Sequence, residues 1–249
     1  MIKSYLKMIF SWAGLELRRR HAPQEPFRHR TSERCKRLVE MHRISLLLDA
    51  GANEGQYARA FRSFGYTGRI ASFEPLAKAF TTLNRYASAD PAGSWSCFHT
   101  ALGDTDLVNA AFNVASYSEC SSFLQISKRH VQALPESGFE GTEQVRVRKL
   151  DSLRSEFLQT DDRVWLKLDV QGFEKNVLLG ATDTLREVQV IDIELSLVPV
   201  YEGQAMIGEM LNFLDKIGFE PVSFENGFVE PSTGHALQVD GLFVRRPHP

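Results

Sequence analysis

One short segment constrains the fold more than any other part of the 249-residue chain. The unbroken apolar run Leu46–Leu48 ends in Asp49 and leads into the glycine-containing stretch Gly51–Gly55. Such runs are typical of strands covered on both faces, and glycines permit a tight turn with positive φ. The segment therefore predicts a buried strand, a tight turn that can approach a ligand closely, and a helix that begins at about Gly55.

The following sequence repeats this alternation of short apolar runs and longer amphipathic stretches, which indicates β-α-β units around a mostly parallel sheet. The composition agrees, since 43% hydrophobic and 24% charged residues are usual for a globular protein. The predicted strands are 45–49, 69–74, 95–101, 163–169, 188–194, 220–224 and 237–245. The predicted helices are 31–41, 55–64, 76–86, 174–179 and 206–217.

Residues 107–150 depart from this rhythm. Two additional strands are predicted, at 108–114 and 144–150, and they bracket the polar segment 115–141. We expect this polar segment to lie over the carboxyl edge of the sheet and to contact an acceptor molecule, because binding residues are often carried on such connections. The alternative is an ordinary surface loop.

The N-terminal arm, residues 1–43, differs in charge from the rest of the chain. It carries eleven Lys or Arg residues against four Glu, whereas the remainder is acidic. Residues 1–17 place apolar side chains on one helical face and lysines opposite, and three arginines follow at 18–20. This pattern predicts a helix that either lies in an anionic membrane interface or packs its apolar face on the protein itself.

The turn after the first strand also indicates the kind of ligand. Its pattern is D-x-G-x-N-x-G, with Asp49 and Glu54 where a dinucleotide site has the glycines of G-x-G-x-x-G. These carboxylates would repel a pyrophosphate but accept the ammonium group of an amino acid. Glu74 ends the second predicted strand, 23 residues after Gly51, where a carboxylate can accept both ribose hydroxyls. The combination favours S-adenosylmethionine over NAD, and an NAD-dependent oxidoreductase is the alternative.

With these residues in place, the chain resembles the FkbM-type methyltransferases over about residues 44–246. The matching segments are 49–58 (DAGANEGQYA), 73–75 (FEP), 99–104 (HTALGD), 147–153 (VRKLDSL), 165–181 (WLKLDVQGFEKNVLLGA), 190–196 (VIDIELS) and 239–246 (VDGLFVRR). The resemblance implies a Rossmann-like class I methyltransferase, an α/β fold with a mostly parallel seven-stranded sheet and an antiparallel last strand. Gln171 is a departure, because the family commonly has a glutamate there.

The resemblance also implies an activity. Family members use S-adenosylmethionine to methylate mostly hydroxyl groups, so we expect an O-methyltransferase for a sugar, glycolipid or related natural-product acceptor. The domain would span residues 44–249, with 1–43 as a helical extension and linker. The residues expected to bind S-adenosylmethionine are Asp49, Gly51, Asn53, Glu54, Gly55, Tyr57, Phe73, Glu74, Pro75, Ala101 and Leu102.

Three carboxylates are candidates for catalysis: Asp169, Glu194 and Glu174. Methyl transfer requires an acceptor oxygen held in line with the methyl group and a base for its proton. Asp169 and Glu194 end neighbouring predicted strands, so either can act as that base. Glu174 falls in the first turn of a helix, where a purely structural capping role is equally consistent with the sequence. Asp169 and Glu194 together are also an alternative site for Mg²⁺, although no further ligand is evident.

The remaining features bound partners and location. The three cysteines are widely spaced and contain no CxxC pair, which argues against disulfides or zinc and favours the cytoplasm. Outside the arm there is no basic stripe interleaved with aromatic residues, so no nucleic-acid partner is expected. A non-catalytic membrane-associated protein with the same fold is the second alternative. The sequence leaves the oligomeric state open.

Deleting residues 1–20 tests the membrane interpretation. We expect the truncated protein to remain folded but to sediment less with anionic lipid vesicles, because the basic amphipathic helix is removed. Sedimentation with neutral vesicles is the control. If the truncation instead makes the protein insoluble, the arm packs on the protein and the membrane interpretation is wrong.

Overall fold

The computed structural model describes residues 32–247, and the N-terminal helix predicted at 1–17 and the linker at 21–30 lie outside them. Helices and strands alternate as the apolar pattern predicts. The helices are α1 (Ser32–His42), α2 (Gln56–Ser63), α3 (Ala77–Ser88), α4 (Lys128–Ala133), α5 (Leu150–Phe157), α6 (Glu174–Leu179) and α7 (Ile207–Lys216). The strands are β1 (Leu46–Ala50), β2 (Arg69–Phe73), β3 (Trp95–Phe98), β4 (Ala101–Leu102), β5 (Leu107–Ala115), β6 (Phe139–Arg148), β7 (Val164–Leu168), β8 (Val188–Ser196), β9 (Phe219–Asn226) and β10 (Gln238–Arg245).

The main sheet has seven strands in the order β3-β2-β1-β7-β8-β10-β9. The first five strands in this order, β3, β2, β1, β7 and β8, pair in parallel. The last strand of the chain, β10, runs antiparallel to both of its neighbours, β8 and β9. The order reverses between β1 and β7, because the chain first builds outward to β3 and then returns to the other side of β1. The predicted Rossmann-like α/β sheet with an antiparallel last strand is therefore confirmed.

Both faces of the sheet are covered. On one face, the buried side chains of Leu48 and Leu166 pack with helix residues such as Leu150 and Leu214. On the other face, Trp165 packs edge-on against Phe61 of α2, with ring centroids 5.1 Å apart. Burial on both faces explains why β1 and β7 read as nearly unbroken apolar runs.

The described end of the N-terminal arm belongs to this packing. Helix α1 buries Cys35 and Leu38 in the same core cluster as Trp165. Residues 32–42 are therefore packed on the domain predicted to begin at 44. Within residues 32–247, every helix is too short or too polar to span a lipid bilayer.

Residues 101–148 contain a second sheet of three strands in the order β4-β6-β5. The two extra strands were predicted, but three details were wrong. The predicted strand 95–101 is divided between the two sheets, and Leu150 begins a helix instead of ending a strand. The predicted polar loop contains helix α4. Short elements with few apolar residues give too weak a periodic signal to be located from sequence.

The turn between β1 and α2 has the geometry that its glycines predict. Gly51 has φ of 70° and Gly55 has φ of 82°, and the intervening Asn53 also has a positive φ, 45°. A Cβ atom on Gly51 would lie 1.9 Å from the carbonyl oxygen of Asp169, in the loop after β7. Glycine is thus required at position 51 both by the backbone conformation and by the close approach of a neighbouring chain segment.

Replacing Gly51 with alanine therefore tests the turn. We expect Gly51→Ala to lower the free energy of unfolding by at least about 3 kcal/mol, because strain and backbone overlap combine. The matched control is Gly65→Ala, where φ is 97° but no atom lies within 4 Å of the added Cβ. Gly65→Ala should lower the free energy of unfolding by only about 1–2 kcal/mol. Equal losses for the two variants, measured by urea denaturation, would contradict the close approach at Gly51.

Candidate active site

A cavity of about 670 Å³ lies where β1, β2, β7 and β8 end. Its position beside the reversal of strand order, between β1 and β7, is where ligands bind in open α/β sheets. The volume falls within the range usual for small-molecule and cofactor sites. Its walls include the carboxyl ends of these four strands, the turn after β1 and the segment 117–123.

The turn after β1 is fixed by hydrogen bonds to the end of β2. The amides of Gly51 and Ala52 both donate to the carbonyl of Phe73, at 3.1 and 3.0 Å. The amide of Asn53 donates to Oε2 of Glu74 at 2.8 Å. The two segments singled out in the sequence, the turn and the carboxylate at the next strand end, are therefore one structural unit at the cavity wall.

Glu74 is buried, yet it lines the cavity. Its second oxygen, Oε1, accepts the amide of Leu76 at 2.8 Å. Burial raises the pKa of the Glu74 carboxyl to about 7, against the opposing effect of the two backbone hydrogen bonds. Each carboxylate oxygen has accepted one N–H and can accept a further donor, so the side chain suits a ligand that presents hydroxyl groups.

Beneath the turn lies a buried ion pair. Lys167 of β7 contacts Oδ1 of Asp49 at 3.4 Å and donates to the carbonyl of Gly51 at 2.7 Å. Burial alone would lower the pKa of Lys167, but the carboxylates of Asp169 and Asp49 raise it above its ordinary value. Burial raises the pKa of Asp49, against the opposing effect of Lys167. The lysine therefore remains a cation and ties β1, its turn and β7 together.

Two carboxylates face the cavity where β7 and β8 end. Asp169 Oδ2 lies 3.6 Å from Nζ of Lys167, and about a third of the Asp169 side chain is exposed (33%). Glu194 accepts the side-chain amide of Gln238 at 2.6 Å. Burial, followed by the charges of Asp169 and Glu174, raises the pKa of Glu194 well above its ordinary value. The two acids therefore differ in environment, because one lies close to a cation and the other is buried among carboxylates.

Glu174 has a different role from these two. It is buried, it is not among the residues that line the cavity, and its Oε1 accepts the amides of Val170 and Gly172, both at 3.1 Å. Burial raises its pKa to about 7. Glu174 therefore supports the loop that carries Asp169, which is consistent with the structural alternative for this residue.

The polar segment 115–141 closes over the cavity from the second sheet. Gln56 of α2 donates to Glu119 at 3.0 Å, and Ser122 donates to the carbonyl of Gln171 at 2.6 Å. The buried His130 also lines the cavity, and burial lowers its pKa to about 4, so it is neutral near pH 7. These contacts join the segment to both the turn after β1 and the loop after β7.

Most of the predicted site residues line the cavity. Those predicted to bind the cofactor that do so are Gly51, Asn53, Tyr57, Phe73, Glu74, Pro75, Ala101 and Leu102, and the candidate catalytic residues that do so are Asp169 and Glu194. Besides Glu174, three predicted residues are not among the lining residues. Asp49 is fully buried under the turn, Glu54 points to solvent, and Gly55 packs beside Leu83 and Trp95.

Sequence reasoning missed several cavity residues. Gln56 and Lys167 lie within the segments that were singled out, but a glutamine and a strand lysine carry no specific signal. A further wall is formed by residues of α1, β9 and the start of β10, including Arg34, Asn226 and Gln238. Arg34 reaches this wall by pairing with Glu225 at 2.6 Å. Long-range contacts of this kind leave no local pattern in the sequence.

Two buried acceptor atoms in the cavity wall have no hydrogen-bond donor within residues 32–247. They are Oδ1 of Asn53 and Oε1 of Gln56. Buried polar atoms usually have partners, so these two are suited to a ligand that carries donors, as a ribose or an ammonium group does. In the same part of the chain, no group of three or more His, Cys, Asp or Glu side chains is arranged to hold a metal ion.

Comparisons with known proteins relate this chain to methyltransferases. The family model described as Methyltransferase FkbM domain matches residues 49–221. The chain is also 30% identical over 182 residues to the 2-O-methyltransferase NoeI of Sinorhizobium fredii (strain NBRC 101917 / NGR234), a match that covers 68% of this chain and 70% of NoeI.

The solved structures that match this chain are less similar to it in sequence than NoeI is. The methyltransferase FkbM of Methylobacillus flagellatus KT is 13% identical with a TM-score of 0.44, and the match covers 80% of this chain and 43% of that one. The chain thus spans less than half of that protein's length. The magnesium protoporphyrin IX methyltransferase of Synechocystis PCC 6803 is 8% identical with a TM-score of 0.44, covering 85% of this chain and 77% of that one.

Glu74→Ala tests whether this cavity wall binds a ribose. We expect the variant to bind S-adenosylhomocysteine more weakly by about 1–3 kcal/mol in isothermal titration, because hydrogen bonds to the ribose hydroxyls are lost. The far-ultraviolet circular dichroism spectrum should stay that of the parent. An unchanged affinity would remove Glu74 from the binding site.

Proposed function

The chain belongs to the FkbM methyltransferase family, and on that premise we propose that it is an O-methyltransferase for a hydroxyl of a sugar, glycolipid or related natural-product acceptor. The observation that carries the proposal is the composition of one cavity. The turn after β1 together with Glu74 forms one wall, and the carboxylate of Asp169 lines the cavity beside this wall. The first suits a nucleoside and the second suits an acceptor hydroxyl.

S-adenosylmethionine fits the first wall in its chemistry. Glu74 would accept the ribose hydroxyls, and the segment around Ala101 and Leu102 would contact the adenine. The unpaired acceptors of Asn53 and Gln56 would take N–H or O–H donors of the nucleoside or the amino acid. Asp49 and Gly55 would act indirectly, since they hold the turn in shape, and Glu54 has no role in this proposal because it points to solvent.

The bound sulfonium supplies an activated methyl group. The protein must then hold the acceptor oxygen in line with that methyl group and take the proton that the hydroxyl loses. In this proposal Asp169 is the base that takes the proton of the acceptor hydroxyl. Its carboxylate faces the cavity, and the ammonium of Lys167, 3.6 Å from Oδ2, stabilises the negative charge that a base requires.

Glu194 takes the complementary role. Its raised pKa means that it keeps a proton to higher pH than an ordinary glutamate, and the protonated form can donate a hydrogen bond to an acceptor oxygen. Two acids whose environments differ in this way can divide the roles of base and donor. Glu174 is a positioning residue, because its carboxylate holds the loop between Val170 and Gly172.

Three considerations support a polyhydroxylated acceptor. The relative NoeI is named a 2-O-methyltransferase, so oxygen is the expected methyl acceptor. The cavity residues near Glu194 include the amides Gln238 and Asn226 and the aromatic ring of Phe228, which are suited to hydroxyl groups and to the apolar face of a sugar ring. The basic N-terminal arm would bring a lipid-linked acceptor to this site at the cytoplasmic face of a membrane.

Asp169→Asn tests the proposed base. With purified full-length protein, a labelled methyl donor and a lipid extract plus neutral sugars, we expect transfer to fall by about 10²–10⁴-fold. The affinity for S-adenosylhomocysteine should stay within about threefold of the parent value, because the proposed ribose contacts come from Glu74 and not from Asp169. Mass spectrometry of the product would identify the acceptor.

The matched control is Asp183→Asn, which removes the same charge at a surface ion pair with Arg186. This control should retain the parent rate. Full transfer by Asp169→Asn would exclude Asp169 as the base, and methylation only at nitrogen or carbon would exclude an O-methyltransferase.

A further inference from the structure

A single amide group bridges the two cavity carboxylates. Nε2 of Gln171 lies 2.6 Å from Oδ1 of Asp169 and 3.3 Å from Oε2 of Glu194. A primary amide has two N–H donors, so it can serve both acids at once. Without this amide, the carboxylates of Asp169 and Glu194 would lie near each other with no donor between them. Two like charges close together resist joint ionisation.

The other end of this amide contacts a tyrosine. The hydroxyl of Tyr201 lies 2.7 Å from Oε1 of Gln171 and 3.0 Å from the carbonyl of Cys120. The Asp169 carboxylate can only accept, so the donor end of the amide, Nε2, faces it. The oxygen of the Gln171 amide therefore faces Tyr201, and the nitrogen faces the carboxylates.

The backbone of Gln171 is held as firmly as its side chain. Its φ is 55°, in the left-handed region, and its carbonyl accepts the hydroxyl of Ser122 at 2.6 Å. On either side, the amides of Val170 and Gly172 donate to Glu174. A strained residue held by contacts from three segments of the chain is typical of a functional position.

We propose that Gln171 is a positioning residue that acts through Asp169: its amide fixes one carboxylate oxygen, keeps the acid ionised beside Glu194, and leaves the other oxygen for the acceptor hydroxyl. The proposal rests on the assignment of Asp169 as the base. A carboxylate in place of this amide would oppose ionisation of Asp169.

The charges around the pair make the amide important. Lys167 of β7 is the cation in contact with Asp169. The acids that face this region are Asp49 of β1, Glu119 of segment 115–141, Glu174 of α6, Asp192 and Glu194 of β8, and Asp240 of β10. One buried lysine is shared among several of these acids, so a neutral donor that lies directly on Asp169 contributes to its ionisation.

The test measures Asp169 directly. In the full chain labelled with ¹³C at aspartate and glutamate carboxyls, nuclear magnetic resonance follows the titration, and Asp169→Asn and Glu194→Gln identify the two signals. In Gln171→Leu we expect the midpoint of the Asp169 signal to rise by about one pH unit, because a hydrogen bond to the charged form is lost. Gln171→Glu should raise it at least as far.

Gln238→Leu is the matched control. It removes an amide donor of Glu194 only, so it should shift the Glu194 signal and leave Asp169 unchanged. Tyr201→Phe removes the contact at the oxygen end of the Gln171 amide, so it should raise the Asp169 midpoint less than Gln171→Leu does. This variant serves if the leucine variant does not fold. An unmoved Asp169 midpoint in a folded Gln171 variant would overturn the proposal.

This titration requires neither methyl donor nor acceptor, so its result is independent of the proposed function. Once an acceptor is identified, the acid limb of the rate profile of Gln171→Glu should move to higher pH by about one unit. A residue that served the fold alone would lower the rate at every pH without moving the limb. If Asp169→Asn keeps full activity while Gln171→Leu still shifts the Asp169 signal, the base assignment fails and the bridging by Gln171 stands.

Discussion

The buried ammonium of Lys167 is the contact on which the rest of the site depends. It pairs with Asp49 and with Asp169 and donates to the carbonyl of Gly51, so one cation joins β1, the turn after it and the loop after β7. Its partners compensate for the cost of burying the charge, since an isolated buried ammonium would lose its proton. The turn and the candidate base are thereby set in a fixed relation.

That relation brings two sets of groups into one cavity. Glu74 and the turn supply hydrogen-bond acceptors, and Asp169 and Glu194, which we propose contact the acceptor, line the same cavity. The chain needs a methyl donor and an acceptor oxygen in line, and most of the rate in such a reaction comes from positioning. We therefore expect the hydrogen bonds from Asn53 to Glu74 and from Gln171 to Asp169 to matter mainly because they position the two carboxylates.

The sequence predicted the fold well because its signals were strong. Buried strands such as β1 and β7 are apolar throughout, and the glycine turn has few conformational alternatives. Segment 107–150 was predicted less well, because α4 is a short helix and because β4 pairs with β6, a long-range contact that leaves no local pattern in the sequence. The site followed the same division. Glu74 and Asp169 were predicted from their places at strand ends, and both line the cavity. The role proposed for Gln171 involves Tyr201, a residue distant in sequence.

The central claim is that the turn after β1 and Glu74 bind the nucleoside of S-adenosylmethionine. A crystal structure of the full chain with S-adenosylhomocysteine tests it most directly. The account predicts ribose hydroxyls within hydrogen-bond distance of the Glu74 carboxylate and the sulfur facing the side of the cavity that holds Asp169. A cavity that stays empty at millimolar ligand, or a ribose bound away from Glu74, would contradict it.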